Sequence, residues 1–283
     1  MEEPFDRALR RLRRDRAAAS PRAADYLHRR AGEELLARLD LVKRDFGEAL
    51  VIGAPGGWFH EVLRGRGMRV AAADPAFRHA RGTSGVQCDE DRLPFADGAF
   101  DLVVALDTLA SVNDLPGALV LVRRVLRPDA LFLAAFAGGD SLPLMRAAML
   151  AADAAKGGAA PHVHPRIDIR AAGDLLGRAG FALPVADSDN VSVRFAELAA
   201  LVDDLRAMGA TNILRQRDRR PVGKAGLAAA RASFDAAREA DGKASERFEL
   251  LYLTAWAPGP GQPTPAPRGS ATASLAEALG RRR

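Results

Sequence analysis

Cysteine is almost missing from this chain of 283 residues, and the one present, Cys88, has no partner for an internal disulfide. A chain without a disulfide framework is typical of a reducing compartment, so we expect a cytoplasmic protein. Long apolar runs are also lacking, since none approaches the roughly 20 residues of a membrane-spanning helix. The start, Met1-Glu2-Glu3, has no apolar segment, which predicts no secretory signal. A peripheral position at the inner face of a membrane stays open as an alternative.

Segregated charge is absent as well. The net charge is +5, but the arginines are scattered and alternate with acids, as in 7–16, where Asp15 lies among them. This pattern predicts a solvated surface and no nucleic-acid partner. Hydrophobic residues make up 48% of the chain, enough for a sizeable core, and the heavy use of Ala and Arg is typical of a bacterial protein.

Short apolar runs alternate with helical segments in the first half of the chain. Strands are predicted at 49–52, 68–73, 86–88, 101–106 and 130–136, with helices at 58–64 and 115–126 and a turn at 127–129. Buried strands that alternate with helices over short connections predict a parallel sheet covered on both faces. The expected fold class is therefore α/β, a doubly wound Rossmann-like sheet preceded by N-terminal helices.

Three regions are predicted along the chain. Residues 1–46 form an N-terminal helical extension, 47–257 the α/β domain, and 258–283 a proline-rich linker and a short tail helix. Within the domain, further helices are predicted at 141–155, 171–179, 196–208 and 224–239. Two later strands are predicted at 185–195 and 248–256.

A glycine-rich turn and a following acid are the strongest functional signal. The turn Gly53-Ala54-Pro55-Gly56-Gly57 ends the first strand and precedes a helix, so its backbone can approach a ligand closely. Asp74 ends the second strand about 20 residues later, where a carboxylate can accept both hydrogen bonds of a ribose diol. A structural turn and an N-cap are the alternative. The predicted cofactor-binding residues are Gly53, Ala54, Gly56, Gly57, Asp74, Pro75, Asp89, Glu90 and Leu106.

Several downstream motifs resemble known proteins. Leu93-Pro94-Phe95, Phe100-Asp101-Leu102-Val103 and Leu126-Arg127-Pro128-Asp129 are similar to motifs of class I S-adenosylmethionine-dependent methyltransferases. A closer resemblance, to the methyltransferase-like assembly factor family of mitochondrial respiratory complex I, covers nearly the whole chain. The segments that carry it are 5–7, 112–116, 138–142, 177–181, 204–212 and 268–271.

The resemblance implies S-adenosyl-L-methionine as cofactor and a protein substrate, a subunit of respiratory complex I. The implied reaction is hydroxylation of an arginine, or methyl transfer, in complex I assembly. It also suggests substrate contacts by Asp140, Arg206 and Asn212, for which surface charge is an equal alternative. Bacterial cousins in this group methylate malonyl-acyl carrier protein. No catalytic residue is assigned.

The sequence departs from the family pattern inside the cofactor site. Val51 stands where the first strand usually carries an acid, and Pro55 replaces the middle glycine of the loop. Proline has no N–H to donate, and valine cannot hold the methionine ammonium group. Ala110-Ser111 replaces a His-Trp pair. We therefore expect weakened or lost cofactor binding. A non-catalytic pseudo-methyltransferase that binds a client protein is the alternative function.

Other chemistry has less support in the sequence. His162, His164 and Asp168 are the residue types of a two-histidine, one-carboxylate iron site, but they lie in a proline-rich segment that sets no geometry. We therefore predict no metal site. A Gly-x-Ser-x-Gly nucleophile elbow is also missing, and Cys88 is expected to pack at a strand end.

Overall fold

The computed structural model describes residues 3–20, 24–263 and 270. The strands in chain order are β1 Glu48–Gly53, β2 Arg69–Asp74, β3 Val86–Gln87, β4 Phe100–Leu106, β5 Leu126–Gly138, β6 Ala182–Phe195 and β7 Ala244–Trp256. The helices are α1 Arg7–Ala18, α2 Tyr26–Asp40, α3 Trp58–Gly65, α4 Phe77–Gly82, α5 Leu115–Val125, α6 Pro143–Ala154, α7 Ile169–Arg178, α8 Leu198–Ala207 and α9 Gly223–Asp235.

The strands form one seven-stranded sheet in the order β3-β2-β1-β4-β5-β7-β6. The first five strands of that order run parallel, and β7 and β6 add to the sheet in antiparallel pairs. In the parallel part, Val51 of β1 pairs with Ala72 of β2 and with Val104 of β4. Because parallel strands end at the same edge, the glycine loop, Asp74 and Leu106 meet there.

The α/β fold class is confirmed, with two differences in detail. The predicted sheet was parallel, whereas β7, which runs antiparallel to both β5 and β6, makes it mixed. The predicted turn at 127–129 lies inside β5 as an irregularity, where the pairing with β4 shifts and Asp129 takes a φ of 61°. The short α4 was not predicted, because six residues carry too little periodicity to recognise.

Two apolar layers cover the sheet. On one face Phe132 of β5 packs with Val122 of α5 and Leu176 of α7. On the other face Leu133 packs with Leu35 of α2 and Phe59 of α3. Neighbouring residues of a strand point to opposite faces, so the continuous apolar run of β5 serves both layers.

The N-terminal extension shares the core of the sheet. Leu35 and Leu39 of α2 are buried in the same cluster as Val51 and Leu131. Burial of such side chains stabilises the fold by about 1.5 to 3 kcal/mol each. The boundary at residue 46 stays a prediction, and the predicted tail helix lies outside the described residues. Within the described part of the chain, no helix combines the length and apolarity that crossing a bilayer requires.

We expect the stability of the fold to fall in mild acid because of His60 on α3. His60 is fully buried, and burial, aided by Arg64, lowers its pKa from 6.5 to about 4. In the unfolded chain His60 therefore binds a proton near pH 6.5, whereas in the folded chain it stays neutral down to about pH 4. Stability is lost as the pH falls from about 6.5 towards 4. Between pH 6.5 and 4, His60→Leu should lose about 2 to 3 kcal/mol less free energy of unfolding than the unchanged protein, as measured by urea unfolding. Equal pH dependence of the two proteins would contradict this, and their curves above pH 7 serve as the control.

Candidate functional site

The glycine loop connects β1 to α3 in a left-handed backbone conformation. Gly53, Gly56 and Gly57 have φ angles of 81°, 84° and 75°, and Ala54 also has a positive φ of 60°. A Cβ on Gly53 would clash with the Leu106 carbonyl oxygen and the Thr108 side chain. Packing of the loop against the end of β4 therefore requires this glycine, whether or not a ligand is bound.

The departures from the family pattern have structural counterparts. Val51 is fully buried and packs within the core layer that contains Leu35 and Phe59. Pro55 lies on the rim of an open groove beside the glycines. Ala110 and Ser111 line a cavity at the end of β4, where their small side chains leave space.

The predicted acids gather at this edge of the sheet and are buried. Asp74 and Asp89 are each 2% exposed and Glu90 is fully buried. Asp107, which the sequence analysis did not single out, follows β4 with a positive φ of 76° and joins them. Buried carboxylates are costly unless they are paired, so their partners decide what this site can do.

The partners are arginines on one face of α1. Arg7, Arg10, Arg11 and Arg14 recur at helical spacing, and Asp6 caps the helix by accepting a hydrogen bond from the Leu9 N–H (3.0 Å). Each of these arginines forms an ion pair with an acid of the site. The prediction of scattered, solvated charge for this segment is therefore wrong for this face of the helix.

Arg14 lies between two carboxylates. Its Nη2 donates to Asp74 Oδ2 (2.8 Å), its Nε contacts Asp74 Oδ1 (3.3 Å), and its Nη1 donates to Asp107 Oδ2 (2.8 Å). His28 approaches the other oxygen of Asp107 at 3.2 Å. Although burial opposes it, His28 and Arg14 hold the pKa of Asp107 below its ordinary value. The same two carboxylates outweigh burial and raise the pKa of Arg14.

Arg10 binds the most deeply buried acid of the site. It pairs with both oxygens of Glu90 (2.7 and 2.8 Å) and also donates to the Thr108 carbonyl oxygen (2.8 Å). Such a fork-shaped pair is strong and directional, because two parallel N–H groups match two carboxylate oxygens.

Arg11 and Arg7 bind the neighbouring acids. Arg11 pairs with Asp89 Oδ2 (2.7 Å), and Arg7 pairs with Asp91 (2.6 and 2.7 Å). Asp89 Oδ1, in contrast, is buried and accepts no hydrogen bond from the described residues. This oxygen is therefore an unpaired acceptor that is shielded from solvent while α1 is in place.

Two spaces open at this edge. A groove of about 990 Å³ runs along the glycine loop between α4 and the second half of α1. A smaller cavity of about 90 Å³ lies at the ends of β4 and β5, next to Leu106 and Asp107. The loop glycines thus border open space, whereas Pro75 is buried and its carbonyl oxygen accepts from Gln87 (3.0 Å).

The suggested substrate contacts do not come together. The Asp140 carboxylate pairs with Arg247, and Arg206 pairs with Asp203 one helical turn away (3.0 Å). Asn212 links two loops by donating to the Pro161 carbonyl oxygen (2.8 Å). None of the three lines the groove or the cavity described above, and their substrate role stays a prediction.

The histidines considered for a metal have separate partners. His162 contacts Asp153 (2.9 Å), His164 accepts from the Ile213 N–H (3.0 Å), and Asp168 caps α7. Among the described residues, no group of three or more His, Cys, Asp or Glu is placed to hold a metal ion. Burial and the nearby acids raise the pKa of Cys88 to about 12, so its thiol is not an activated nucleophile.

Segments that carry the closer family resemblance meet near the start of α1. The Phe5 N–H donates to Asn113 Oδ1 (2.8 Å), and Asn113 Nδ2 donates back to the Phe5 carbonyl oxygen (3.2 Å). Phe5 also pairs with Leu214 in an isolated bridge. Residues far apart in the chain therefore fix the position of the arginine face over the acids.

The fit of S-adenosylmethionine to this arrangement is incomplete. The groove beside the glycine loop suits a nucleoside, whereas the unpaired Asp89 oxygen is buried and does not line that groove. Asp74, however, already accepts from Arg14 and, through Oδ1, from the Ala76 N–H (2.7 Å). The carboxylate predicted to bind the ribose diol is thus engaged by the protein itself.

Comparisons with known proteins agree with this fold. Residues 50–134 match the family model described as Methyltransferase domain. Arginine-hydroxylase NDUFAF5, mitochondrial, of Homo sapiens is 34% identical over 96% of this chain and 82% of its own length. Malonyl-[acyl-carrier protein] O-methyltransferase of Laribacter hongkongensis is 32% identical over 91% of this chain and 92% of its own.

A solved structure supports the same architecture. The YcgJ protein of Bacillus subtilis superimposes with a TM-score of 0.56 at 15% identity, over 80% of this chain and 98% of that one. At this identity the likeness concerns the fold alone, whereas the relatives above match nearly the whole sequence. The chain therefore belongs to the class I S-adenosylmethionine-dependent methyltransferase family.

Proposed function

We propose that this chain acts on a protein, and that its target is an arginine side chain in a subunit of respiratory complex I. The relatives named arginine-hydroxylase, which match 96% of the chain at 34 to 35% identity, suggest the reaction. The observation that carries the proposal is the ability of the site to hold guanidinium groups.

Arginine side chains already occupy the carboxylates of the site. Arg14 lies between Asp74 and Asp107, and Arg10 is held by Glu90 and the Thr108 carbonyl oxygen. A planar guanidinium presents five N–H donors, and paired carboxylates and carbonyl oxygens are the acceptors that match them. The chemistry of these acids therefore suits an arginine side chain as substrate.

The proposed reaction inserts one oxygen atom into a C–H bond of the arginine side chain. With dioxygen as oxidant, the second oxygen atom leaves as water, which requires two electrons and two protons from an external reductant. In this proposal Asp107 orients the guanidinium, because it lines the cavity at the ends of β4 and β5 and is partly exposed, whereas Asp74 and Glu90 are held by the chain's own Arg14 and Arg10.

Methyl transfer to a carboxyl group is the second candidate, after the relative from Laribacter hongkongensis. The groove beside the glycine loop favours it, because the open space at the loop glycines suits the nucleoside of a methyl donor. Buried Val51 and the Arg14–Asp74 pair disfavour it, since they remove ligands of that donor.

The two reactions differ in the mass of their products. We expect complex I isolated from cells that contain the chain to carry one additional oxygen atom on an arginine of one subunit. Complex I from cells without the chain should lack it. Mass spectrometry of the digested subunits distinguishes this product from a methylated one, which gains one carbon and two hydrogens.

Substitutions in the chain test whether formation of this product depends on the site. Asp107→Asn should reduce the modified fraction at least about tenfold, because the barrier rises when a positioning carboxylate is neutralised. Asp45→Asn, in an exposed loop, should leave it unchanged. A subunit that co-purifies with the chain but never changes mass would instead support a non-catalytic client-binding role.

A further inference from the structure

The arginine face of α1 lies against every acid that the sequence assigns to the nucleoside site. Arg14 binds Asp74, Arg11 binds Asp89, and Arg10 binds Glu90. A helix from the chain's own N-terminal extension thus contacts the residues that define the cofactor site in this fold. These contacts are not weak surface pairs, since Arg10 and Arg14 are 4% and 5% exposed.

Asp74 has too few acceptor positions for both the helix and a ribose. A carboxylate offers about four lone-pair positions. Arg14 Nη2 takes one on Oδ2, while Arg14 Nε and the Ala76 N–H take those on Oδ1. A ribose diol needs one acceptor on each oxygen, so it cannot bind Asp74 in the usual way while Arg14 remains there.

From this geometry we infer that α1 is an internal occupant of the nucleoside site, and that S-adenosyl compounds bind fully only after Arg14 has left Asp74. The inference extends beyond the proposed function and does not depend on it. It makes the N-terminal helix a competitor of the cofactor, instead of a passive extension.

The competition is local to the ribose position. The groove beside the glycine loop stays open with α1 in place, whereas Asp89 Oδ1 is buried beneath it. A ligand can therefore contact the loop before the helix yields. When a binding-competent form is a minor fraction, the apparent affinity falls by that fraction. Removing the occupant should raise affinity without any new ligand contact.

The first test is calorimetric titration of the full chain with S-adenosylhomocysteine. We expect Arg14→Gln to bind at least about tenfold more tightly than the unchanged protein, because Gln cannot chelate both oxygens of Asp74. Arg16→Gln, a matched change at an exposed position of the same helix, should leave the affinity unchanged. Adding Asp74→Asn to Arg14→Gln should remove the gain, since it deletes the ribose acceptor.

The second test uses hydrogen exchange on the unchanged chain. Saturating S-adenosylhomocysteine should speed amide exchange in the second half of α1, at residues 12–18, as Arg14 leaves Asp74. Exchange in α5, whose buried side chains pack in the core layer of Phe132, serves as the control. This measurement decides the question even if Arg14→Gln does not fold.

Two results would overturn the inference. The first is an affinity of folded Arg14→Gln that is unchanged or lower. The second is slower exchange of α1 with the ligand, which would make the helix a lid that closes over it. Neither result bears on the modification of complex I, which is measured separately by mass spectrometry.

Discussion

The paired contact of Arg14 with Asp74 and Asp107 is the interaction on which the site depends. It joins the ends of β2 and β4 to a helix that precedes the sheet in sequence. Without the guanidinium, two buried or half-buried carboxylates would face each other, and such charges are costly unless paired. The neighbouring arginines on α1 form ion pairs with Asp89 and Glu90 in the same way. The N-terminal helix is therefore part of the site's electrostatics as well as of its shape.

Fold and cofactor chemistry are separable in this chain. Position 53 must be glycine because a Cβ there would clash with the Leu106 carbonyl oxygen and the Thr108 side chain. Val51 fills the core layer under α2 and α3. Both positions are accounted for by packing, with no ligand in the argument. A methyltransferase fold can thus keep its glycine loop while the acids beside it take internal partners. The relatives, named for hydroxylation and for methyl transfer, illustrate that one fold supports different reactions.

The buried strands were the most predictable part of the structure. Apolar runs at 49–52, 101–106 and 130–136 are continuous because both faces of the sheet are covered, and each lies within a strand of the structure. The edge at which Gly53 and Asp74 meet followed from the same pattern. Less predictable were the antiparallel direction of β7, which runs against both β5 and β6, and the short helix α4, since strand direction leaves no periodic signal and six residues hold less than two turns.

Local periodicity and turn chemistry were enough to predict the α/β class, the position of the glycine loop and the acid at Asp74. The partners of Asp74 and its neighbouring acids depend instead on how distant segments pack together. The helical spacing of Arg7, Arg10, Arg11 and Arg14 was visible in the sequence as one face of a helix, yet nothing local indicated that this face would turn inward. Asp74 lies 60 residues beyond Arg14, and the two come together because Phe5 binds Asn113 and Leu214 while α1 packs against α4 and α8.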